Sequence, residues 1–250
     1  MERHTFTFRT RIDIKLNTCI FLDFETGSLP VYENNKLYLP QPVQLAAVAI
    51  NLDTLTFTKN DIFSTYMKPI FEDEKAKEFG VWPLQDKALQ INHTNRTMLA
   101  EAPETKVAWE KFVEFVKRNS NGNGPYTRPI AGGFNTIYFD MPIIDNLAAG
   151  CYNFGPGKDG RNSLFHVRDH FDVQKLLPML IGHFPNLTSF SMDNMRSLLG
   201  FKETGMGHNA KIDVIEGAAL LCRILQFFRK VATPSKFINS FADFNVEEYL

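Results

Sequence analysis

The segment Thr18–Gly27 reads Thr-Cys-Ile-Phe-Leu-Asp-Phe-Glu-Thr-Gly and carries the strongest structural signal in the chain. Its apolar run predicts a buried strand that ends by presenting two carboxylates. Side chains alternate along a strand, so Asp23 and Glu25 project from the same face, about 7 Å apart. Two like charges beside a hydrophobic run repel each other and lose hydration, and a bound divalent cation relieves both effects. The segment alone is equally compatible with an edge strand that has one polar side.

Composition limits the domain organisation and the class of partner. The 250 residues, of which 44% are hydrophobic, suit one globular domain with or without insertions. We expect a single domain over 1–250, with a core over about 18–230, an N-terminal extension over 1–17 and a C-terminal tail over 232–250. The net charge of −1 gives no general positive field. Any site for a polyanion must therefore be local or take its positive charge from metal ions.

The cysteines and the N-terminus indicate the compartment. Cys19, Cys151 and Cys222 are odd in number and widely spaced, which argues against a disulfide framework and for a reducing compartment. The N-terminus lacks the apolar core of a signal peptide. No apolar stretch approaches the ~20 residues that span a bilayer. We expect a soluble, cytoplasmic protein with no membrane association, and the sequence leaves the oligomeric state open.

Hydrophobic periodicity predicts strands first and then helices interleaved with further strands, which favours an α/β fold with a mixed sheet flanked by helices. The predicted strands are Thr5–Ile14 (an added N-terminal strand), Cys19–Phe24, Val43–Leu52, one or two within Thr54–Lys68, and Pro129–Phe134. The predicted helices are Ala102–Lys117, Asp140–Leu147, Phe171–Ile181, Ser191–Leu199 and Lys211–Val231. The segment Gly27–Pro42 is rich in turn residues, and the segment over 151–162, which is rich in glycine and proline, is predicted to be a mobile surface loop.

Three further residues form a candidate catalytic set together with Asp23 and Glu25. Asp140 lies where a strand and turn lead into a helix, and His208 lies in a glycine-flanked loop five residues before Asp213. Taken singly, Asp140 is a good helix N-cap, and Asp213 suits the dipole of a first helical turn. Together, four carboxylates and one histidine at strand ends and helix starts are what two-metal phosphodiester hydrolysis needs. A histidine near neutral pKa can take the proton from the attacking water.

On these residues the chain resembles the DnaQ-like 3′–5′ exonucleases of the DEDD superfamily. Asp23–Gly27 resembles the first motif of that family, Asn135–Asp140 the second, and His208–Asp213 the third. The tyrosine subtype has Tyr four residues before the last Asp, where this chain has Asn209. The histidine subtype, DEDDh, has His five residues before it, which matches His208.

Weaker likenesses extend the resemblance over roughly residues 18–230 in the expected order. They are Gln44–Val48, Ala88–Thr94 with the following Ala102–Glu104, and Phe171–Leu176. The second motif has one residue more between Asn135 and Asp140 than many members show. The N-terminal extension and the loop over 151–162 have no counterpart in the family pattern.

The resemblance implies a ribonuclease-H-like fold, with a central five-stranded mixed sheet and helices on both sides. It implies that Asp23, Glu25, Asp140 and Asp213 bind two Mg²⁺ or Mn²⁺ ions and that His208 is the general base. The implied reaction releases nucleoside monophosphates from the 3′ end of single-stranded DNA or RNA. Candidate substrate-binding residues are Thr26, Gly27, Ser28, Leu29 and Asn135.

Other functions remain open at this stage. One is an exoribonuclease or oligoribonuclease of the same family, since one contact to a 2′-hydroxyl can decide between DNA and RNA. Another is a proofreading or nucleic-acid-binding subunit with a polymerase partner, and its silent form predicts a lost ligand position, whereas all five positions are filled. A zinc site at His166 and His170, spaced i and i+4 on a helix, lacks a third ligand cluster.

Overall fold

The computed structural model describes residues 18–122, 124–148, 164–167, 170–185, 187–201 and 208–231. Its strands are β1 (Thr18–Thr26), β2 (Val31–Glu33), β3 (Lys36–Tyr38), β4 (Pro42–Asn51), β5 (Ile62–Tyr66), β6 (Ile130–Gly133) and β7 (His170–Asp172). Its helices are α1 (Asp73–Glu78), α2 (Asp86–Ile91), α3 (Arg96–Ala100), α4 (Thr105–Arg118), α5 (Asp140–Ala148), α6 (Val173–Ile181), α7 (Met192–Leu199) and α8 (Ala210–Val231). The predicted strand Thr5–Ile14, Cys151 and the loop over 151–162 lie outside the described residues.

The main sheet has five strands in the order β5-β4-β1-β6-β7. The central strand β1 pairs antiparallel with β4 and parallel with β6, so the sheet is mixed, as predicted. The register places Glu25 of β1 opposite Gln44 of β4, and an irregularity follows at Thr26. On the other side, the pairing of β1 with β6 ends at Phe21 and Gly132. The last residues of β1 therefore lack a strand partner on that side.

The alternation of β1 divides the core into two layers. Ile20, Leu22 and Phe24 pack in a cluster with buried residues of α4 and α5. Cys19 and Phe21 pack in the second cluster, against the long helix α8. Asp23 and Glu25 continue the second face, because side chains on a strand repeat every two residues. The sequence of β1 therefore aims both carboxylates toward the layer that contains α8.

Helix α8 lies unusually close to β1. A Cβ atom added to Gly217 of α8 would lie 2.5 Å from Cε1 of Phe21, which is too close for a non-bonded contact. Gly217 thus allows the backbone of α8 to rest directly on the aromatic ring. Because Gly217 is four residues after Asp213, this contact lies one helical turn from that carboxylate.

Most predicted elements are confirmed to within a few residues: β1, β4, β6, α4, α5, α7 and α8. The turn-rich segment Gly27–Pro42 contains the hairpin β2–β3, whose turn residues Asn34 and Asn35 have φ of 50° and 60°. One detail was wrong: the start of the predicted helix Phe171–Ile181 belongs to β7, because a short apolar run does not distinguish strand from helix.

Both described cysteines, Cys19 and Cys222, are buried free thiols, as expected. None of the helices in the described part of the chain combines the length and the apolarity that crossing a bilayer requires.

Candidate metal centre

Three of the predicted acidic residues converge at one end of the sheet. Asp23, Glu25 and Asp213 each offer a carboxylate oxygen, and these oxygens all lie within 4.8 Å of one another. The first two come from the end of β1 and the third from the first turn of α8. The close contact of α8 with β1 brings together residues that are about 190 positions apart in the sequence.

Asp140 lies beside this group at the start of α5 and is almost completely buried, with 1% exposure. Its Oδ1 accepts a hydrogen bond of 2.9 Å from the backbone N–H of Phe24, which lies between Asp23 and Glu25. The strand pairing of β1 with β6 has ended three residues earlier, so this carboxylate replaces the missing strand partner. Asp140 therefore fixes the backbone that carries the first two carboxylates.

The turn before α5 is organised by a second buried carboxylate, Asp172. Its oxygens accept hydrogen bonds from the backbone N–H of Asn135 at 3.0 Å and of Ile137 at 3.5 Å. Asn135 adopts the left-handed conformation with φ of 61°, which asparagine tolerates better than most residues. Asp172, at the end of β7, thus holds the segment that delivers Asp140.

His208 is exposed in the described structure and has φ of 61°, five residues before Asp213. The following residues are tied to the sheet by Gln44, which is buried in β4. The side-chain oxygen of Gln44 accepts from the N–H of Ala210 at 3.2 Å, and its amide group lies 3.5 Å from the Oδ1 of Asn209. Since Gln44 is also the register partner of Glu25, it links the start of α8 to the carboxylate strand.

Arg196 of α7 places a positive charge beside the carboxylates. It donates to Asp213 through one terminal nitrogen, to Asp193 through the other at 2.7 Å, and to Glu216 through Nε at 2.6 Å. Its side chain is 18% exposed, so water screens these contacts only in part. Arg196 holds Asp213 in place and compensates part of the negative charge.

One arginine does not neutralise the whole group. Burial raises the pKa of Glu25, and the charges of Asp23 and Asp213 raise it further, against the opposing effect of Arg196. Burial and the charge of Asp213 likewise raise the pKa of Asp23. The pKa of Asp140 is raised well above its ordinary value by burial and by Asp23, although the N–H of Phe24 opposes the shift. The pKa of Asp213 is also raised by burial, and Arg196 and His208 oppose that shift.

The donor set fits a hard divalent cation. Carboxylate oxygens are the ligands that Mg²⁺ and Mn²⁺ prefer, and these side chains are held close together at a cost in mutual repulsion. The raised pKa values express that repulsion, which a bound cation would convert into attraction. Among the described residues, this is the only group of at least three acidic, histidine or cysteine side chains close enough to share an ion.

The predicted substrate-binding residues have different environments. Thr26 and Ser28 are buried, and the hydroxyl of Thr26 donates to the backbone oxygen of Ser28 at 2.8 Å. Gly27 packs so tightly that an added Cβ would lie 2.2 Å from Cδ2 of Leu84. Leu29, in contrast, is 69% exposed. Asn135 is half-buried in the turn before Asp140.

Sequence reasoning missed Arg196, Gln44 and Asp172 as parts of the site. Asp172 lies in the segment Phe171–Leu176, which resembles the family pattern. An aspartate at the end of a short apolar run could have indicated a buried carboxylate near the site. The zinc hypothesis was wrong in its premise of a helix. His170 begins strand β7, and His166 is buried with its ring 5.7 Å from that of Tyr126.

Known structures share the fold. No family model and no curated protein matches the sequence. Escherichia coli exonuclease I in complex with a dT13 oligonucleotide superposes with a TM-score of 0.62 at 16% identity, covering 86% of this chain and 42% of that one. The cell-death related nuclease CRN-4 gives 0.61 at 17% identity, covering 84% and 64%. A 3′-exonuclease that recognises the 3′ end of a histone mRNA stem-loop gives 0.58 at 14% identity, covering 84% and 82%.

The chain thus has the ribonuclease-H-like α/β fold of these exonucleases. It spans less than half the length of exonuclease I and about two thirds of CRN-4. At these identities the likeness concerns the fold.

Proposed function

We propose that this chain is a metal-dependent 3′–5′ exonuclease of the DEDDh type in the DnaQ-like family. It removes nucleoside monophosphates from the 3′ end of a single strand with two Mg²⁺ or Mn²⁺ ions. The observation that carries the proposal is the convergence of Asp23, Glu25 and Asp213, with Asp140 beside them, at one end of a ribonuclease-H-like sheet. This is the acid set expected from the motifs.

In this proposal Asp23, Glu25, Asp140 and Asp213 hold the ions. When bound, the two ions lower the pKa of a water molecule and stabilise the negative charge of the scissile phosphate and the departing oxygen. The protein fixes the ligands in advance. Asp140 ties down the backbone of β1 at Phe24, and Arg196 donates a hydrogen bond to Asp213.

His208 is the proposed general base. It is exposed, and histidine is the side-chain type best suited to proton transfer at physiological pH. Its loop begins α8, so the helix that positions Asp213 also positions the histidine. The neutral imidazole takes a proton from the attacking water and returns it to solvent.

The 3′-terminal nucleotide is proposed to lie along Thr26–Leu29 and Asn135. The buried side chains of Thr26 and Ser28 shape this backbone segment, so its contacts to the nucleotide come mainly from main-chain groups. Leu29 offers an exposed apolar side chain to the terminal base or sugar.

Polarity and substrate class are tested together with matched 20-nucleotide substrates. Single-stranded DNA, single-stranded RNA and duplex DNA are labelled at the 5′ end and incubated with MgCl₂, MnCl₂ or EDTA. A ladder that shortens one nucleotide at a time from the 3′ end, with release of 5′-monophosphates and no reaction in EDTA, is the expected result. Loss of the 5′ label in a first step, or internal cutting, would contradict the proposal.

Variants then assign the activity to this site. Asp23→Ala and His208→Asn should abolish or sharply reduce metal-dependent release. His93→Asn is a matched control, because His93 is also exposed and also left-handed, with φ of 53° against 61° for His208. Both substitutions place asparagine in a conformation it tolerates, so only the loss of the imidazole at position 208 should lower the rate. Equal rates for His208→Asn, Asp23→Ala and the wild type would reject the assignment.

The partner hypothesis has its own outcome. A subunit that depends on a polymerase partner would show little activity alone and would co-elute with a polymerase on gel filtration. Full activity of the isolated chain on single strands would argue against that role.

A further inference from the structure

Tyr138 is an exposed aromatic residue next to the candidate metal centre. It lies in the turn between β6 and α5, two residues before Asp140, and is 72% exposed. Two residues of chain span at most about 7 Å, so the Cα atom of Tyr138 lies no farther than that from the Cα atom of Asp140. The carboxylate of Asp140 accepts the hydrogen bond from Phe24 N–H at the end of β1. The backbone of Tyr138 therefore lies close to the carboxylates.

The turn holds the backbone of Tyr138 in place. Directly before it, Asp172 accepts hydrogen bonds from the N–H groups of Asn135 and Ile137. Directly after it, Phe139 packs against the core cluster of α4 and α5. An exposed tyrosine is ordinary by itself, but here both neighbours in the chain are anchored while the ring between them stays in water. The ring is thus available to a ligand at a fixed place.

Lys175 of α6 adds a positive charge to this ring. Its Nζ lies 5.0 Å from the centroid of the Tyr138 ring, and Lys175 is itself exposed. Within the described part of the chain, no carboxylate forms an ion pair with Lys175. The two side chains together offer an aromatic surface and an uncompensated cation.

The parallel strands place Lys175 at the same edge of the sheet as the carboxylates. β1, β6 and β7 run in one direction, so their carboxyl ends lie together. Extending the register across β6 aligns Asp172, the last residue of β7, with Leu22 of β1, which precedes Asp23. Neighbouring strands are about 4.8 Å apart, so about 10 Å separates β7 from β1. Lys175 follows Asp172 by three residues, in the first turn of α6.

Lys175 also belongs to the layer toward which the carboxylates of β1 point. Val173 and Leu177 of α6 pack in the second core cluster, together with Phe21 and residues of α8. The two carboxylates of β1 continue the face that carries Phe21. Helix α6 therefore lies on the same side of the sheet as the candidate metal centre.

We propose that Tyr138 and Lys175 form a subsite for one of the first few nucleotides upstream of the 3′ end. A base stacks on the ring of Tyr138, and a phosphate pairs with the ammonium of Lys175. Aromatic stacking combined with positive charge is how proteins hold single strands without reading their sequence. The inference rests on the proposed exonuclease function. A Cα separation of at most about 7 Å between Tyr138 and Asp140 corresponds to about two nucleotide rises of 3.4 Å.

The stacking contact is tested with a long and a minimal substrate in the full-length protein. The long one is dT20, and the minimal one is the p-nitrophenyl ester of thymidine 5′-monophosphate, in which p-nitrophenol replaces the rest of the strand. Tyr138→Ala should raise KM on dT20 roughly 5- to 150-fold, the loss of one stacked base. KM and kcat on the ester should stay unchanged, and Tyr138→Trp should restore KM on dT20.

Phe227→Ala is the control for the loss of an exposed ring. Phe227 is 61% exposed and lies 14 residues after Asp213 on α8, about 21 Å along the helix. Its removal should change KM on neither substrate.

The phosphate contact is tested by the salt dependence of binding. Anisotropy of fluorescein-labelled dT20 gives Kd in EDTA, where no cleavage is expected, at several concentrations of KCl. Lys175→Gln should weaken binding and reduce the slope of log Kd against log [KCl] by about 0.7, the value for one phosphate on a single strand. Lys175→Arg should keep the slope. Lys111→Gln, which removes an exposed lysine from α4 in the other layer, should also keep it.

The results separate the subsite from the proposed function. If the wild type degrades dT20, an unchanged KM in Tyr138→Ala overturns the stacking and an unchanged slope in Lys175→Gln overturns the phosphate contact, while the exonuclease stands. An equal loss on the ester in Tyr138→Ala would show that Tyr138 supports Asp140, which also overturns the stacking. A wild type that degrades neither substrate overturns the exonuclease. Binding in EDTA then decides the subsite, which fails if the wild type does not bind dT20 or if Tyr138→Ala and Lys175→Gln bind it equally well.

Discussion

Replacing Asp140 by asparagine and by alanine separates its structural contact from its proposed role as a metal ligand. Both substitutions remove a buried charge whose raised pKa reflects burial and the repulsion of Asp23. Only asparagine keeps an oxygen that can accept the hydrogen bond from Phe24 N–H. The difference in stability between the two variants therefore measures that contact, free of the change in charge.

The expected magnitude follows from the burial of the donor. Phe24 is 3% exposed, so Asp140→Ala leaves its N–H without an acceptor and away from water. Leaving a buried donor unsatisfied costs about 1–3 kcal/mol. In a protein of 250 residues this lowers the unfolding temperature by about 2–12 °C. We expect Asp140→Asn to unfold at or above the wild-type temperature in EDTA, because it loses repulsion and keeps the acceptor.

Thermal unfolding in EDTA, followed by fluorescence, measures this difference, and the same samples are assayed on a 3′-labelled strand with MgCl₂. Both variants should lose nearly all activity, since neither offers a carboxylate. Equal unfolding temperatures for the two variants would refute the role assigned to the Phe24 contact. Wild-type activity of Asp140→Asn would refute its place among the ligands.

Three further predictions concern charge and position. Burial and neighbouring charges raise the pKa of Glu25 to about 9 and that of Asp23 to about 7, above the values near 4 of the unfolded chain. Between about pH 5 and pH 9 the folded state therefore binds more protons than the unfolded chain. The free energy of unfolding of the metal-free protein should fall as the pH rises through this range. Glu25→Gln should reduce this dependence of stability on pH in EDTA. In the wild type, Mn²⁺ should raise the unfolding temperature more at pH 8 than at pH 5, because carboxylates must be deprotonated to bind the ion. A metal-free unfolding temperature that rises with pH would contradict the assignment. Arg196→Met should destabilise the metal-free protein by about 1–3 kcal/mol, a range that allows for partial screening of the arginine by water. The same substitution should increase the stabilisation by Mn²⁺, because Asp213 no longer pairs with a guanidinium. Calorimetric titration with Mn²⁺ measures the affinity, and a weaker affinity than that of the wild type would contradict this competition. Gln44→Met should lower kcat roughly tenfold to a hundredfold by loosening the start of α8, while the protein stays folded at the assay temperature. An unchanged kcat would show that other contacts position the helix.

The elements around the carboxylates could be predicted because their signals are local. Strand β1 is a continuous apolar run, and the period of two within it places Asp23 and Glu25 on one face without reference to any other segment. The helix α8 has a long periodic pattern, which puts Asp213 in its first turn. That β1 and α8 lie next to each other was predicted from the order of the family motifs, because the hydrophobic pattern alone does not say which helix covers which face of the sheet.

The contacts that support the site could not be predicted in the same way. Arg196 meets Asp213 and Glu216 only because α7 packs beside α8, and an isolated arginine on an amphipathic helix usually faces water. Gln44 looks like one polar residue in a buried strand until the start of α8 is placed next to it. The hairpin had a usable signal in Asn34-Asn35, but its strands of three residues are too short for a clear period.

Because Gly217 has no side chain, the backbone of α8 rests on the ring of Phe21, and this ring separates α8 from β1 below the carboxylates. The thickness of one benzene ring sets how far α8 stands from β1, and hence the width of the gap between Asp213 and Asp23. Substitutions at position 21 should therefore change the separation of Asp213 from Asp23 while both carboxylates are kept.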